Sequence, residues 1–371
     1  MKPLDLLIIG AGPAGLTAAI LAARLGWRVS LVDKEREMLT SNELTADAGI
    51  RRFKVGESLP PTARPLLERL GICNDFLAQG HLPAYGVRSY WGTEQEVRRD
   101  FISHPLGHAW HLDRPKFEQL LFSHAQRQGV EVKLGLNINS VSFAKNEWSV
   151  EFSDRDTARY DFIFDATGRN SWFARQQGAN RLYEFRQLAL VAFGRVSAGF
   201  NDHSTLIEST QQGWWYSALL PNGLMTWAFF CRPGTEERKR WQNLECWPEV
   251  LLGAPQTQKR LSEIEEWVCA PYFVSAASSM LEYKTGPGWC AIGDAAMTLD
   301  PVSSHGITLA MVSARDAVTA LEREQKGEQA AWGAYENILN ATFQRYALER
   351  KGIYRQEQRF ADSPYWRTAQ A

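Results

Sequence analysis

Three glycines spaced G-x-G-x-x-G, at Gly10, Gly12 and Gly15, are followed by an acid, Asp33, 23 residues after the first of them. Each position has a mechanical reason when the ligand is a dinucleotide. Gly10 allows a tight turn, Gly12 lets a pyrophosphate approach the backbone, Gly15 permits close helix packing, and Asp33 takes a ribose hydroxyl pair. A second set lies far downstream in "CAIGDAAMTLDPVSSHGITLAM", residues 290–311. There a buried-looking strand breaks at Gly293-Asp294, and a helix restarts after Ser303-Ser304-His305-Gly306. A helix N-terminus carries unpaired N–H groups and partial positive charge, and glycine lets a flat or anionic ligand come close.

The elements that must hold these residues can be read around them. "LDLLIIGAGPAGLTAAILAARLGWRVSLVDKE" reads strand, turn, helix, strand, with an apolar run Leu4–Ile9, a helical stripe through Leu16, Ile20, Ala23 and Leu25, and a second strand from Trp27 to Val32. NAD and FAD both satisfy this fingerprint, so the choice between them falls to three later segments. These are the loop "KVGESLPP" at 54–61, "HLDRPKFEQLL" at 111–121 with Arg114 at a helix start, and "YDFIFDATGRNS" at 160–171, a strand ending in a glycine turn.

The order of these segments resembles the FAD-dependent aromatic monooxygenase superfamily, with its p-hydroxybenzoate-hydroxylase-like fold and its halogenase-related branch. On that resemblance Gly10, Gly12, Ala14 and Gly15 of "GAGPAG" cradle the ADP pyrophosphate and Asp33 its ribose. Arg114 approaches the flavin side chain, Asp165 and Gly168 of "DATGRNS" form a second cofactor loop, and Gly293-Asp294 holds a ribityl hydroxyl. The turn from Asp300-Pro301 to Gly306-Ile307 then lies against the isoalloxazine ring, with the helix near His305 stabilising negative charge on it. "VGESLPP" and the tail "YRQEQRFADSPYWR" are most similar to the flavoproteins that mature tryptophylquinone cofactors of lysine and glycine oxidases. Halogenases carry a W-x-W-x-I-P element and a lysine after the G-E-x-x-x-P loop, where this chain reads "GWWYSALLP" and "TARPLL", with Arg64-Pro65.

The implied fold class is α/β: a Rossmann-like FAD-binding domain, an antiparallel β-sheet substrate domain and C-terminal helices. The expected division gives the cofactor domain residues 1–80, 101–185 and 276–330, the substrate domain 81–100 and 186–275, and a helical segment 331–371, whose helices are expected to cap the cofactor domain. Within 186–275, "GWWYSALLP" and "LMTWAFFCR" are joined by Asn222-Gly223, a two-residue hairpin signal. With a strand at 85–90 they are expected to form one antiparallel sheet on which substrate lies. Trp214, Trp215, Tyr216 and Trp227 alternate along it, either packing both faces or forming an exposed aromatic wall.

Composition excludes other classes. The formal net charge is −1 with mixed signs along 371 residues, so there is no basic field for nucleic acid or anionic lipid. Asp5 and Pro13 spoil the N-terminal apolar run as a membrane span. Five scattered cysteines lack metal-like spacing and suit a reduced, cytoplasmic setting; His104, His108 and His111 cluster without a cysteine, and no metal is expected. With no Ser-His-Asp set or carboxylate pair legible, the cofactor carries the chemistry. The resemblance implies OH transfer from a flavin C4a-hydroperoxide to an electron-rich aromatic, with Glu57, Ser58 and His305 as ring-proximal polar candidates. Electrons come from NAD(P)H or a reduced flavin. The expected substrate is a tryptophan of a partner protein, the precursor of a quinone-dependent oxidase. Halogenation of a small indole or phenol, double-bond reduction, and a chaperone-like role with little free turnover stay open.

Overall fold

The computed structural model describes residues 3–38, 55–101, 103–234 and 238–371; Lys54, first residue of the 54–61 loop, lies outside them. Asp5–Ile9 and Arg28–Asp33 pair in parallel, flanking the Pro13–Arg24 helix. Phe162–Asp165 joins the other side of Asp5–Ile9, and Trp289–Ala291 extends the sheet beyond it, both parallel. Glu131–Leu134 continues it past Arg28–Asp33, so six strands run in the order 285–286, 289–291, 162–165, 5–9, 28–33, 131–134. The Pro13–Arg24 and Gly306–Gln325 helices pack on one another against this sheet, their alanine-rich faces allowing the close contact. The fold is the α/β class, with a large second sheet and helices at the C-terminal end.

The second sheet runs 264–267, 188–196, 224–231, 213–219, 205–210, 86–90, 97–100, with 272–275 also paired to 188–196. It is not wholly antiparallel: Gly86–Tyr90 pairs with Thr205–Thr210 in parallel, because a long crossover brings the chain back to that edge. Leu82–Ala84 does not join it, pairing instead with Ala109–His111 in a small separate sheet. The Asn222-Gly223 turn has both residues at positive φ, 66° and 69°, as the sequence demands, but the loop is three residues long because Leu220 N–H bonds the Leu224 carbonyl at 2.6 Å.

The aromatic run does not form an exposed platform. Both faces of the sheet are covered, so Trp214, Trp215 and Trp227 are buried. Period-two alternation sends Trp215, Trp227 and Phe229 outward, under Trp241, Trp247 and Val250 of the short helices that follow. Trp214 faces inward, stacked on Phe230 with ring centroids 3.9 Å apart, among Trp91, Tyr354 and Trp366. The terminal helices also do more than cap the cofactor domain. The Ala331–Arg355 helix places Tyr335, Leu339 and Phe343 in the first core, and Tyr354 in the second. The Pro364–Gln370 helix, N-capped by Ser363, belongs to the second core alone.

Trp366 is fully buried there and donates its indole N–H to the Thr210 carbonyl at 2.7 Å. Trp366→Ala should cost ~3–5 kcal/mol of stability. Equilibrium unfolding in denaturant reads this directly; a loss under about 1 kcal/mol would mean that the last helix does not hold the sheet.

Candidate functional site

At the C-terminal ends of the parallel strands, three turns meet through glycines. A side chain on Gly15 would put its Cβ 1.9 Å from the Gly10 carbonyl oxygen, and one on Gly10, at φ +113°, would strike the Ala166 carbonyl at 2.4 Å. Gly293, at φ +59°, brings its turn within 2.7 Å of the Ala14 methyl by the same measure. Gly12 differs: an added Cβ meets nothing within 4 Å, and its backbone faces an open cavity. Asp33 ends the second strand and accepts hydrogen bonds from the Ala11 and Glu35 amides at 2.6 and 2.9 Å, fixing the glycine turn beside it.

The cavity has a volume of about 520 Å³. Gly12, Ala14, Arg114, Gly168 and Asp294 line it, together with the turn carrying Pro301, His305, Gly306 and Ile307. Glu57, Ser58 and Tyr216 line it as well. The inward-facing residues of the second sheet, Ala189, Val191, Thr226, Ala228 and Phe230, complete the lining. Gly10, Gly15, Asp33, Asp165 and Gly293 are not on the cavity surface. Asp165 is fully buried, with its oxygens accepting from Thr167 N and Oγ1 and from Ala174 N, so it shapes the Gly168 loop from behind.

Each lining group has local support. Asp113 N-caps the helix that Arg114 begins, and Arg114 bonds the Val55 and Gly56 carbonyls and pairs with Glu118 at 2.6 Å. Asp294 pairs at 3.5 Å with Arg169, a cation within "DATGRNS" that no local spacing marks as a partner. The Gly306–Gln325 helix starts after His305 with no side-chain cap on its first N–H groups, and Gly306 and Ile307 of its first turn line the cavity. His305 itself is exposed and its Nδ1 contacts the Ser303 carbonyl.

Two carboxyls at the cavity are raised by burial. Glu57 is 4% exposed; its Oε2 accepts the Gly56 amide at 2.8 Å, and the Tyr216 hydroxyl and Arg114 offset part of the desolvation. Asp300 is pushed up to about 6 by complete burial, although Val302 N, Gln187 Nε2 and the Tyr354 hydroxyl all donate to it. The sequence marks Tyr216 as one of four alternating aromatics and Asp300 as the start of the turn against the ring; their polar role at the cavity comes from the burial that folding imposes. The three histidines do not converge: His104 and His108 bond nearby backbone, while His111 is buried against Thr205. Among the described residues no group of three or more His, Cys, Asp or Glu is arranged to hold a metal ion. No helix among them is long and apolar enough to cross a membrane.

The bare Gly12 backbone, the uncapped helix start and the Arg169–Asp294 and Arg114 groups along one cavity fit an extended, anionic, flat-ended cofactor. The chain belongs to the FAD binding domain family, whose signature matches residues 3–341, and it is an FAD-dependent enzyme. It is similar to a tryptophan 2-halogenase of Chondromyces crocatus, at 28% identity over 92% of this chain and 66% of that relative. LodB of Marinomonas mediterranea, assigned as an FAD-dependent oxidoreductase, is 25% identical over 100% of this chain and 98% of its own length. Among solved structures, the flavin-dependent halogenase CmlS superposes with a TM-score of 0.87 at 23% identity, covering 100% of this chain and 68% of that one. QhpG, a peptidyl tryptophan dihydroxylase essential for tryptophylquinone cofactor biogenesis, superposes at 0.76 with 24% identity, covering 100% and 79%. These structural likenesses concern the fold.

Gly12→Ala should keep the melting temperature but weaken FAD retention roughly tenfold, about 1.4 kcal/mol, because its methyl would project into the cavity; Gly15→Ala should fail in stability first. Absorbance of retained flavin and thermal unfolding separate the two, and equal behaviour of both variants would contradict the assignment. Asp300 also gives a pH signature. Its folded value lies above its ordinary one, so this group stabilises the fold as pH falls through 6, and that gain is absent at neutrality. Asp300→Asn should flatten the change in melting temperature across that interval relative to the parent; parallel curves would show that Asp300 is not the titrating group.

Proposed function

We propose that the protein is an FAD-dependent monooxygenase that hydroxylates an electron-rich aromatic ring, and that this ring is a tryptophan of a partner polypeptide being matured into a tryptophylquinone. The observation that carries the reading is one cavity lined by Gly12, by an apolar sheet face and by Glu57 with Tyr216. Gly10, Gly12, Ala14, Gly15 and Asp33 are assigned to the ADP half of FAD. Arg114 and Asp294 serve the ribityl chain, Pro301, Gly306 and Ile307 the ring, and Asp165, Gly168 and Gly293 the supporting turns. Residues 1–80, 101–185 and 276–330 are assigned to the cofactor domain, and the setting to the cytoplasm.

Bound FAD supplies the electron transfer and activation of oxygen, with NAD(P)H or a reduced flavin as the donor. The chain supplies placement. Ala189, Val191, Ala228 and Phe230 offer a flat apolar wall that orients a ring and excludes water. Glu57 accepts a hydrogen bond from an indole N–H or phenol O–H, and the burial that raises it suits it to take and return a proton. Ser58 is assigned a hydrogen bond to the ring edge, and His305 with the helix start behind it stabilises negative charge on the reduced flavin. The likeness to QhpG supports a polypeptide substrate; burial of Trp214, Trp215 and Trp227 removes the open aromatic platform as a reason for it.

The halogenase relatives favour halogenation as a second reading. Against it, Arg64 stands in the segment where the resemblance expects a lysine, and its guanidinium lies 5.4 Å from the Trp110 ring centre rather than on the cavity wall. Arginine stays protonated at neutral pH and offers no free amine to hold hypohalous acid. The test supplies enzyme, reductant, oxygen and excess chloride or bromide, with free tryptophan in one vessel and an unmodified tryptophylquinone-oxidase precursor in another. Mass gain of oxygen on one precursor tryptophan, with free tryptophan turned over very slowly, is the expected result. Halogen in the product, or rapid turnover of a free aromatic with the precursor untouched, overturns it.

A further inference from the structure

The cavity wall supplied by the second sheet carries one group that packing does not explain. Thr226, in the Leu224–Cys231 strand, is buried and lines the cavity beside Ala189, Val191, Ala228 and Phe230. Valine has the same branched shape and would fill this place without bringing a polar atom to an apolar wall. On the next two strands, 213–219 and 205–210, every serine and threonine hydroxyl is engaged: Ser217 with Arg260, Thr205 with His111, Ser209 with Glu357 and the Tyr90 carbonyl, Thr210 with the Gly213 carbonyl. The Thr226 hydroxyl has no hydrogen-bond partner among the described residues. Nor is it sealed away. The unpartnered threonine hydroxyls with no accessible surface are those of Thr17, Thr257 and Thr308, so the Thr226 oxygen opens on the cavity that its residue lines.

Strand pairing puts this hydroxyl on one face with Tyr216. Ala218 stands opposite Thr226 and Ala228 opposite Tyr216, so the two hydroxyl-bearing side chains lie on a diagonal with alanines at the other corners. We propose that Thr226 is a specificity-determining residue: its hydroxyl hydrogen-bonds a second polar atom on the edge of the substrate ring, so the cavity prefers an aromatic already bearing an oxygen over a plain indole. The proposal rests on the reading of this sheet face as the substrate wall and of Glu57 as the partner of the first polar atom. A ligand seated there takes water from the Thr226 oxygen, and unless its own edge returns a hydrogen bond the exchange costs affinity. A ring hydroxyl can both give and take, as the threonine hydroxyl can, so either direction of the bond is satisfied. A plain indole has one polar atom, its N–H, and cannot serve Glu57 and Thr226 together. An indole that has gained one hydroxyl can, so the first product is held where it was made.

The test titrates the oxidised, FAD-loaded protein, without reductant, with indole and with its benzo-ring hydroxyindoles, reading the change in flavin absorbance. At least one hydroxyindole should bind about tenfold more tightly than indole, the size of one net hydrogen bond. Thr226→Val should bring that hydroxyindole to the level of indole, and Thr226→Ser should keep the preference. Without ligand, Thr226→Val should melt no lower than the parent, because it removes an unpaired hydroxyl and keeps the shape of the side chain. If the valine variant cannot be purified, Thr226→Ala removes the same hydroxyl and reads the same preference. Equal or absent binding of every hydroxyindole, or a preference that survives loss of the hydroxyl, overturns the proposal. So does a lowered melting temperature in Thr226→Val, which would give the hydroxyl to the fold, or lost FAD retention, which would give it to the cofactor. Because no turnover is read, a failure of the hydroxylase reading shows separately, as an unmodified precursor beside a preference that depends on Thr226.

Discussion

Close backbone contact between three strand-to-helix turns is the constraint on which the rest depends. Gly10 under Ala166, Gly15 against Gly10, and Gly293 against Ala14 each leave no room for a Cβ, so the ends of strands 5–9, 162–165 and 289–291 are locked side by side. That lock sets the separation between Gly12 at one end of the cavity and the 293–307 segment along it. A shift of even one methyl group at these contacts would move the two walls apart, because neither turn has a flexible side chain to give way.

The second sheet answers a different requirement. A sheet covered on both faces needs a largely apolar central strand, and Leu224–Cys231, with Thr226 its one hydroxyl, is buried throughout. Alternation then splits the strand into a cavity face of Thr226, Ala228 and Phe230 and an outer face of Met225, Trp227 and Phe229. Small residues on the cavity side, Ala189 and Ala228 among them, leave the space that the tryptophans behind them would otherwise fill. The tryptophan excess therefore serves to build a stiff wall, and the wall's smoothness serves the ligand.

Burial gives the two cavity carboxyls their character, and the partners distinguish them. Asp300 receives three donors, among them the Tyr354 hydroxyl of the Ala331–Arg355 helix and the Gln187 side-chain amide, which couples that helix to the cavity wall. Tyr365 extends that coupling by donating to Gln187 at 2.9 Å. Glu57 has fewer donors and an open side toward the cavity, the arrangement expected of a group that exchanges protons with a ligand instead of holding a fold.

By itself the sequence determined the local devices: the strand–glycine–helix start at 5–24, the Asp113 cap before Arg114, the Asn222-Gly223 turn and the helix beginning at Gly306. Each depends on residues adjacent in the chain, where backbone conformation and periodicity act directly. It also brought together, through their order, most of the residues that line one wall of the cavity. Tertiary structure alone decided which face of each strand looks inward, that residues 86–90 run parallel to 205–210, and that the last helix joins the second core. It alone set Thr205 against His111, brought Tyr216 and Glu57 to one cavity, and buried Asp300. Those outcomes depend on desolvation and on contacts between segments far apart in the chain, and neither leaves a periodic trace in the local sequence.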